Sequence, residues 1–287
     1  MRPNPRPPIH ARQPRIDANA PPEAALKQIL CACLEQVQGN AAAIATGRAE
    51  PEHLHQLRIG LRRLRSALRL FGAWAGRPFE PCDPALRPLL RALGTRRDHD
   101  VLCADILPQL STLGAPPLPL PRPPPIARIR RMLDAAAFRD WLLSLQTYVD
   151  TPADPQAASA QQATAQLAKR RLAKLEKRLR KECRVYAAAD EAHRHRLRKR
   201  LKRLRYGIEL ASDLLPSSKR ERALMRLKPL QETMGRYNDI CNARALLEGM
   251  SPCAGLWFAL GWAEARRSEL LREAERSVLL WSDRQQK

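Results

Sequence analysis

The sequence predicts an all-α protein made of two duplicated halves. Leu and Ala recur at intervals of three and four residues, which is the spacing of a helix face. No segment shows the apolar–polar alternation of a half-buried strand. Related motifs also recur in the same order roughly 140 residues apart. No apolar run approaches the roughly 18–20 residues that a membrane span needs, so we expect no contact with a membrane.

Prolines mark the boundaries of the predicted elements. Their density over residues 1–21, together with several arginines, predicts a disordered basic tail. A second cluster, residues 116–125, predicts an extended loop. Pro51, Pro84 and Pro252 stand where helices are expected to begin. The intervals between them predict eight helices, over residues 22–47, 51–74, 84–112, 126–149, 157–187, 190–214, 218–249 and 253–282.

An internal repeat indicates how these helices are organised. Residues 53–58 resemble residues 193–198, an offset of 140, and residues 86–89 resemble residues 227–230, an offset of 141. Such a spacing is too long for the unit of a solenoid. It predicts two four-helix bundles related by a pseudo-twofold axis. The halves would cover residues 22–150 and 156–284, and together they would form one domain over residues 22–284.

The charge balance points to an anionic partner. Lys and Arg number 51 and Asp and Glu number 29, so the formal net charge is +22 at pH 7. Such a surplus is typical of proteins that bind nucleic acid, anionic membranes or another polyanion. Most of the cations are Arg, whose planar guanidinium grips phosphate through two hydrogen bonds. Aromatic residues make up only 5%, which disfavours a site that stacks bases.

The basic residues form two stripes at helical spacing. On the predicted helix 51–74 they follow intervals of three and four residues, with no acidic residue among them. The row is about 21 Å long at about 1.5 Å per residue. Like charges at these intervals repel each other, and a solvated helix face usually mixes signs. We therefore favour a phosphate-binding face over a merely solvated one. The stripes are His55, Arg58, Arg62, Arg65 and Arg69 in the first half, and His195, Arg198, Lys202 and Arg205 in the second.

Two His-x-His pairs, 53/55 and 193/195, raise the question of a metal site. Residues two apart on a helix diverge by about 200°, so both rings cannot easily reach one ion. No CxxC pair or nearby carboxylate completes a ligand set. We expect no metal and no cofactor, and we place His55 and His195 in the basic stripes, with a structural role as the alternative.

Signals of catalysis are weak. The sequence has no phosphate-binding glycine loop and no nucleophile elbow. Asp98 recurs as Asp239, but Asp100 is replaced by Cys241, so no carboxylate pair persists in both halves. We expect these aspartates to orient motif arginines and the protein not to be an enzyme.

These motifs resemble those of a known family. The sequence is similar to CHAD (conserved histidine α-helical) domains in three features. One predicted helix carries His-x-x-Arg followed by Arg-Arg-x-Arg, and the next carries Leu-Gly-x-x-Arg-Asp-x-Asp. The third feature is the second copy of the first motif, over residues 195–206. The resemblance covers about residues 22–284. It implies two four-helix bundles around a basic cavity or groove that binds inorganic polyphosphate. Asn238 stands where the first half has Arg97, which departs from strict symmetry of the site.

The resemblance also implies a location and a set of contacts. It implies a cytoplasmic protein associated with polyphosphate granules, and a nucleic-acid-binding protein using the same surface is the alternative. The expected polyphosphate-binding residues are His55, Arg58, Arg62, Arg63, Arg65 and Arg69 in the first half, and His195, Arg198, Lys199, Lys202, Arg203 and Arg205 in the second.

Overall fold

The computed structural model describes residues 7–17, 19–76, 83–120, 122–153 and 163–283, and all regular structure within them is helical. The predicted all-α class is therefore confirmed. The helices are α1 (Pro22–Ala45), α2 (Pro51–Phe71), α3 (Asp83–Val101), α4 (Leu107–Thr112), α5 (Ile126–Leu133), α6 (Ala136–Asp150), α7 (Ala163–Cys183), α8 (Glu191–Leu210), α9 (Ser217–Glu248) and α10 (Ala254–Asp283).

The single helix predicted over residues 126–149 is two helices in the structure. α5 ends at Leu133 with Asp134 as its C-cap, and α6 begins after Ala135, whose backbone is extended. The buried residues explain the break, because their spacing is five residues at the junction from Leu133 to Phe138. Five residues rotate a continuous helix by about 500°, which would turn the second apolar face away from the first. The extended Ala135 brings both faces back to the core.

The predicted helix 84–112 is interrupted as well. Residues Leu102–Ile106 form a wider π-helical turn between α3 and α4. Pro108 stands just after it and has no N–H to donate to the preceding turn. The wider turn lets the Leu107 N–H reach the carbonyl of Leu102, five residues earlier.

Where the structure describes it, the N-terminal segment differs from the disordered tail expected for residues 1–21; residues 1–6 and 18 lie outside the described residues. Residues 7–17 form no regular secondary structure, and although most of them are exposed, hydrogen bonds hold the segment against other parts of the chain. The Ile9 N–H donates to Asn40 Oδ1 (3.2 Å), and Asn40 Nδ2 donates to the Ile9 carbonyl (2.8 Å). The Ile16 N–H donates to Asp213 Oδ2 at 2.9 Å, and the Ile16 side chain is buried. Apolar residues between the prolines and arginines supply this anchoring, which composition alone does not reveal.

The described residues group into two compact units. Unit 1 takes them from residues 1–93, 125–176 and 203–222, and unit 2 from residues 94–124, 177–202 and 223–287. These ranges cut across the two halves expected from the repeat, because α8 contributes residues to both units. The two-bundle arrangement about a pseudo-twofold axis stays a prediction.

Unit 1 is built around α1 and α2. Leu57, Leu61 and Leu64 form the apolar stripe of α2 and are fully buried. Gly60 allows close approach, because a Cβ there would lie 3.0 Å from a methyl carbon of Val37 on α1. This packing fixes the rotation of α2 and so decides where its basic stripe lies.

Unit 2 is built around α9, α10 and the first part of α8. Arg236 of α9 pairs with Glu273 of α10 at 2.7 Å. Gln231 Nε2 of α9 donates to the Leu201 carbonyl of α8 at 2.9 Å. α9 is thereby held between its two neighbours and faces the basic residues of α8. None of the helices in the described residues is long and apolar enough to cross a bilayer.

Candidate phosphate-binding faces

In unit 1, α2 carries its basic stripe at the edge of the core. His55, Arg58, Arg62 and Arg65 are half-buried, and Arg69 is exposed. The stripe borders the leucines that are buried against α1, because its basic residues are offset from the apolar residues by one position on the helix. Half-burial lets the aliphatic stems pack while the charged groups stay near the surface. These five residues form what we call the α2 basic face.

Arg63, which the family resemblance places among the polyphosphate-binding residues, lies away from the α2 basic face. Its side chain is only 2% exposed. One terminal nitrogen donates to Gln36 Oε1 of α1 at 3.2 Å, and the other donates to the Arg12 carbonyl at 2.6 Å. It follows Arg62 by one residue, which rotates it about 100° toward α1. Arg63 therefore anchors the N-terminal segment and is left out of the candidate site.

The first His-x-His pair divides into a structural and a surface residue. His53 is 1% exposed, and its Nδ1 accepts a hydrogen bond from the Glu50 backbone N–H at 3.0 Å. The Glu50 side chain in turn accepts the His53 backbone N–H, which completes a cap at the start of α2. His55 is half-buried on the α2 basic face. His53 therefore has the structural role that was considered as the alternative for the histidines.

In unit 2, α9 orients two basic residues of α8. His195 Nδ1 lies 2.7 Å from Asn238 Oδ1. The amide oxygen can only accept, so Nδ1 carries the hydrogen of this bond. Arg198 Nη2 lies 3.7 Å from Asp239 Oδ1. Asp239 thus forms the ion pair with a motif arginine that the expected arginine-orienting role requires.

The acidic residues around α8 are partly withdrawn from water. Burial raises the pKa of Asp239, while the charges of Arg198 and Lys202 act in the opposite direction. Asp98 raises the same pKa and accepts a hydrogen bond from Asn242 Nδ2 at 2.9 Å. The negative charge of Asp239 is thus stabilised chiefly by Arg198 and Lys202, which belong to the basic stripe of α8.

The remaining basic residues of α8 lie in different surroundings. In unit 2, Lys199 is exposed and Lys202 is half-buried. In unit 1, Arg203 is half-buried, and Arg205 Nε lies 3.3 Å from Glu209 Oε1. Arg205 also lies 5.3 Å from the ring centre of Tyr206. Glu209 therefore offsets part of the positive charge of Arg205.

Sequence reasoning missed several polar and aromatic residues near His195. Asn238 gave one signal, since it replaces an arginine of the first copy. Tyr186 and Tyr237 gave none, because one follows α7 in a turn and the other is a single aromatic on α9. Both tyrosines line a cavity with His195 and Arg198. Within the described residues, no cluster of three or more His, Cys, Asp or Glu could hold a metal ion.

A family model for the CHAD domain matches residues 28–248. The chain belongs to the CHAD domain family. The crystal structure of the CHAD domain from the plant Ricinus communis is similar, with 29% sequence identity, a TM-score of 0.74, and coverage of 95% of this chain and 96% of that chain. PptA from Streptomyces chartreusis shares the fold at 18% identity and a TM-score of 0.57, covering 93% of this chain and 100% of that chain. Among curated protein sequences no significant match was found.

Proposed function

We propose that this CHAD protein binds inorganic polyphosphate through the α2 basic face and the basic residues of α8. The observation that carries the proposal is the single-sign stripe of α2, whose position is fixed by the burial of Leu57, Leu61 and Leu64. The association of the CHAD family with polyphosphate supports it. The protein acts as a binding module without turnover, located in the cytoplasm on polyphosphate granules.

The chemistry of the ligand suits these faces. Polyphosphate carries about one negative charge per phosphate and presents no base to be read. Arginines already held in place by helix packing donate charge-assisted hydrogen bonds with little further loss of conformational freedom. Binding releases counterions from the chain, so the affinity falls steeply as salt rises.

His195 adds a dependence on pH. Its Nδ1 donates to Asn238, so a hydrogen bond to phosphate requires a second hydrogen on Nε2. The imidazole must then be protonated, and the ordinary pKa of histidine is about 6.5. Polyphosphate affinity is therefore expected to rise as the pH falls from about 7 to about 6. A flat profile would remove His195 from the binding mechanism.

The decisive experiment is a titration with polyphosphates of several lengths. Arg62→Glu reverses one charge on the α2 basic face, and Lys202→Glu reverses one on α8. Matched controls are Arg139→Glu on the exposed side of α6 and Lys228→Glu on the exposed side of α9. The double variant R62E/K202E should lose binding and keep its helical circular dichroism, whereas R139E/K228E should retain binding. Equal loss in both would show that only net charge matters.

Competition separates polyphosphate from nucleic acid. Duplex DNA is added to the polyphosphate complex at equal phosphate concentration, and we expect long-chain polyphosphate to stay bound. Displacement by DNA would favour the nucleic-acid alternative. Incubation of polyphosphate with the protein and a divalent metal should release no phosphate, and release would contradict the binding-module proposal. Cell fractionation should find the wild type, but not R62E/K202E, with the granules.

A further inference from the structure

A cavity of about 350 Å³ lies within unit 2, where the turn after α7 and the start of α8 face α9. Its size is within the roughly 300–1,000 Å³ of small-molecule sites. One part of its wall is basic, with His195 and Arg198, and another is apolar or aromatic, with Ala192, Met234 and Tyr237. A long, uniformly charged chain needs no apolar wall, so the mixture indicates a ligand with two different parts.

The Tyr186 hydroxyl is the second observation that points to a ligand. Tyr186 lines the cavity, is only 1% exposed, and its hydroxyl has no hydrogen-bond partner within the described part of the chain. Buried polar groups are nearly always hydrogen-bonded, because burial without a partner is unfavourable. Burial also raises the pKa of the Tyr186 phenol, so the hydroxyl keeps its hydrogen and can donate it.

Arg194 holds Tyr186 in place. Its guanidinium carbon lies 5.5 Å from the centre of the Tyr186 ring. The same guanidinium donates to the carbonyls of Ala187 (2.8 Å) and Tyr186 (3.3 Å). The turn, the ring and the arginine are thus locked together, and Arg194 is a positioning residue. The hydroxyl donor is held ready before any ligand arrives.

We propose that this cavity binds a small organic phosphate of the nucleotide class. The phosphate would contact His195 and Arg198, and the flat organic part would lie against Tyr186, Met234 and Tyr237. Glu191 also lies in the wall, so the lining of the cavity is not uniformly basic. An uncharged ring loses little solvation there and offers an acceptor to the Tyr186 hydroxyl. The site shares two residues with the proposed polyphosphate site but does not depend on that function.

The test is a calorimetric titration of the full chain with AMP, and separately with inorganic pyrophosphate. AMP should bind at least tenfold more tightly than pyrophosphate, because only AMP has the organic part. Tyr186→Phe should weaken AMP binding about tenfold, which corresponds to about 1.4 kcal/mol. Tyr148→Phe, a buried tyrosine of α6 in unit 1, makes the same chemical change outside the cavity and should leave AMP binding unchanged.

Several results would overturn the proposal. These are no binding of AMP, binding no tighter than that of pyrophosphate, or equal AMP affinity in Y186F and wild type. Equal AMP affinity would mean that water, and not AMP, accepts the hydrogen bond of the Tyr186 hydroxyl. Polyphosphate is titrated in parallel, with Arg62→Glu as the variant outside this cavity. In the wild type, absence of AMP binding alone contradicts this inference, and absence of polyphosphate binding alone contradicts the proposed function.

Discussion

Arg62 and Arg63 are neighbours in sequence, yet the structure gives them opposite roles. Arg62 is half-buried on the α2 basic face, whereas Arg63 is buried and bonded to Gln36 and to the Arg12 carbonyl. Truncation of each to alanine should therefore have opposite effects. Arg63→Ala should lower stability and leave polyphosphate affinity nearly unchanged. Arg62→Ala should lower polyphosphate affinity and leave stability nearly unchanged.

The size of the Arg63 effect follows from its contacts. Two charge-assisted hydrogen bonds contribute about 1.5–3 kcal/mol each, so their loss removes about 3–6 kcal/mol. Removing the buried guanidinium also relieves its desolvation, which returns part of that amount. We expect a net loss of about 3 kcal/mol in the free energy of unfolding. For a protein of this size that is a fall in Tm of about 6–12 °C.

Urea denaturation followed by circular dichroism measures the loss. Limited trypsin digestion gives a second measurement, because the segment held by Arg63 contains Arg12 and Arg15, both exposed. Arg63→Ala should speed cleavage there, and Arg62→Ala should not. Unchanged stability in Arg63→Ala together with lost polyphosphate binding would refute the assignment and return Arg63 to the site.

Three further predictions concern packing, the thiols and salt. Gly255→Ala places a Cβ 2.4 Å from the Pro117 carbonyl oxygen and should lower Tm by several degrees. Gly261→Ala on the same helix meets no atom within 4 Å and should be neutral or stabilising by up to about 1 kcal/mol, and equal Tm shifts for the two would contradict this. Burial raises the pKa of Cys33 and of Cys183 to about 12, so at pH 8 a thiol reagent should label half-exposed Cys31 before either of them, as read by peptide mass spectrometry; labelling of Cys33 as early as Cys31 would argue against the packing of α1. The logarithm of polyphosphate affinity should fall linearly with the logarithm of salt concentration, more gently in Arg62→Glu than in wild type, and equal slopes would place Arg62 outside the contact.

Much of the fold could be predicted from local pattern. The boundaries of α1, α2, α9 and α10 follow from prolines and from apolar spacing of three and four residues, which depend only on nearby sequence. The break at Ala135 and the turn at Leu102–Ile106 were not predicted, because each reconciles local helix formation with burial elsewhere in the chain. The ordered segment at residues 7–17 was missed for the same reason, since its partners Asn40 and Asp213 are distant in sequence.

The sequence by itself determined the helical class, the family motifs and the stripes of one charge, because periodicity and net charge are properties of neighbouring residues. Only the tertiary structure decided which basic residues face outward. Arg63 fits the motif as well as Arg62 does, but a rotation of about 100° sets it against α1. The tertiary structure also brought Tyr186, His195 and Arg198 together in the lining of one cavity. Such placements depend on how helices that are distant in sequence pack together. Local sequence patterns do not specify that packing.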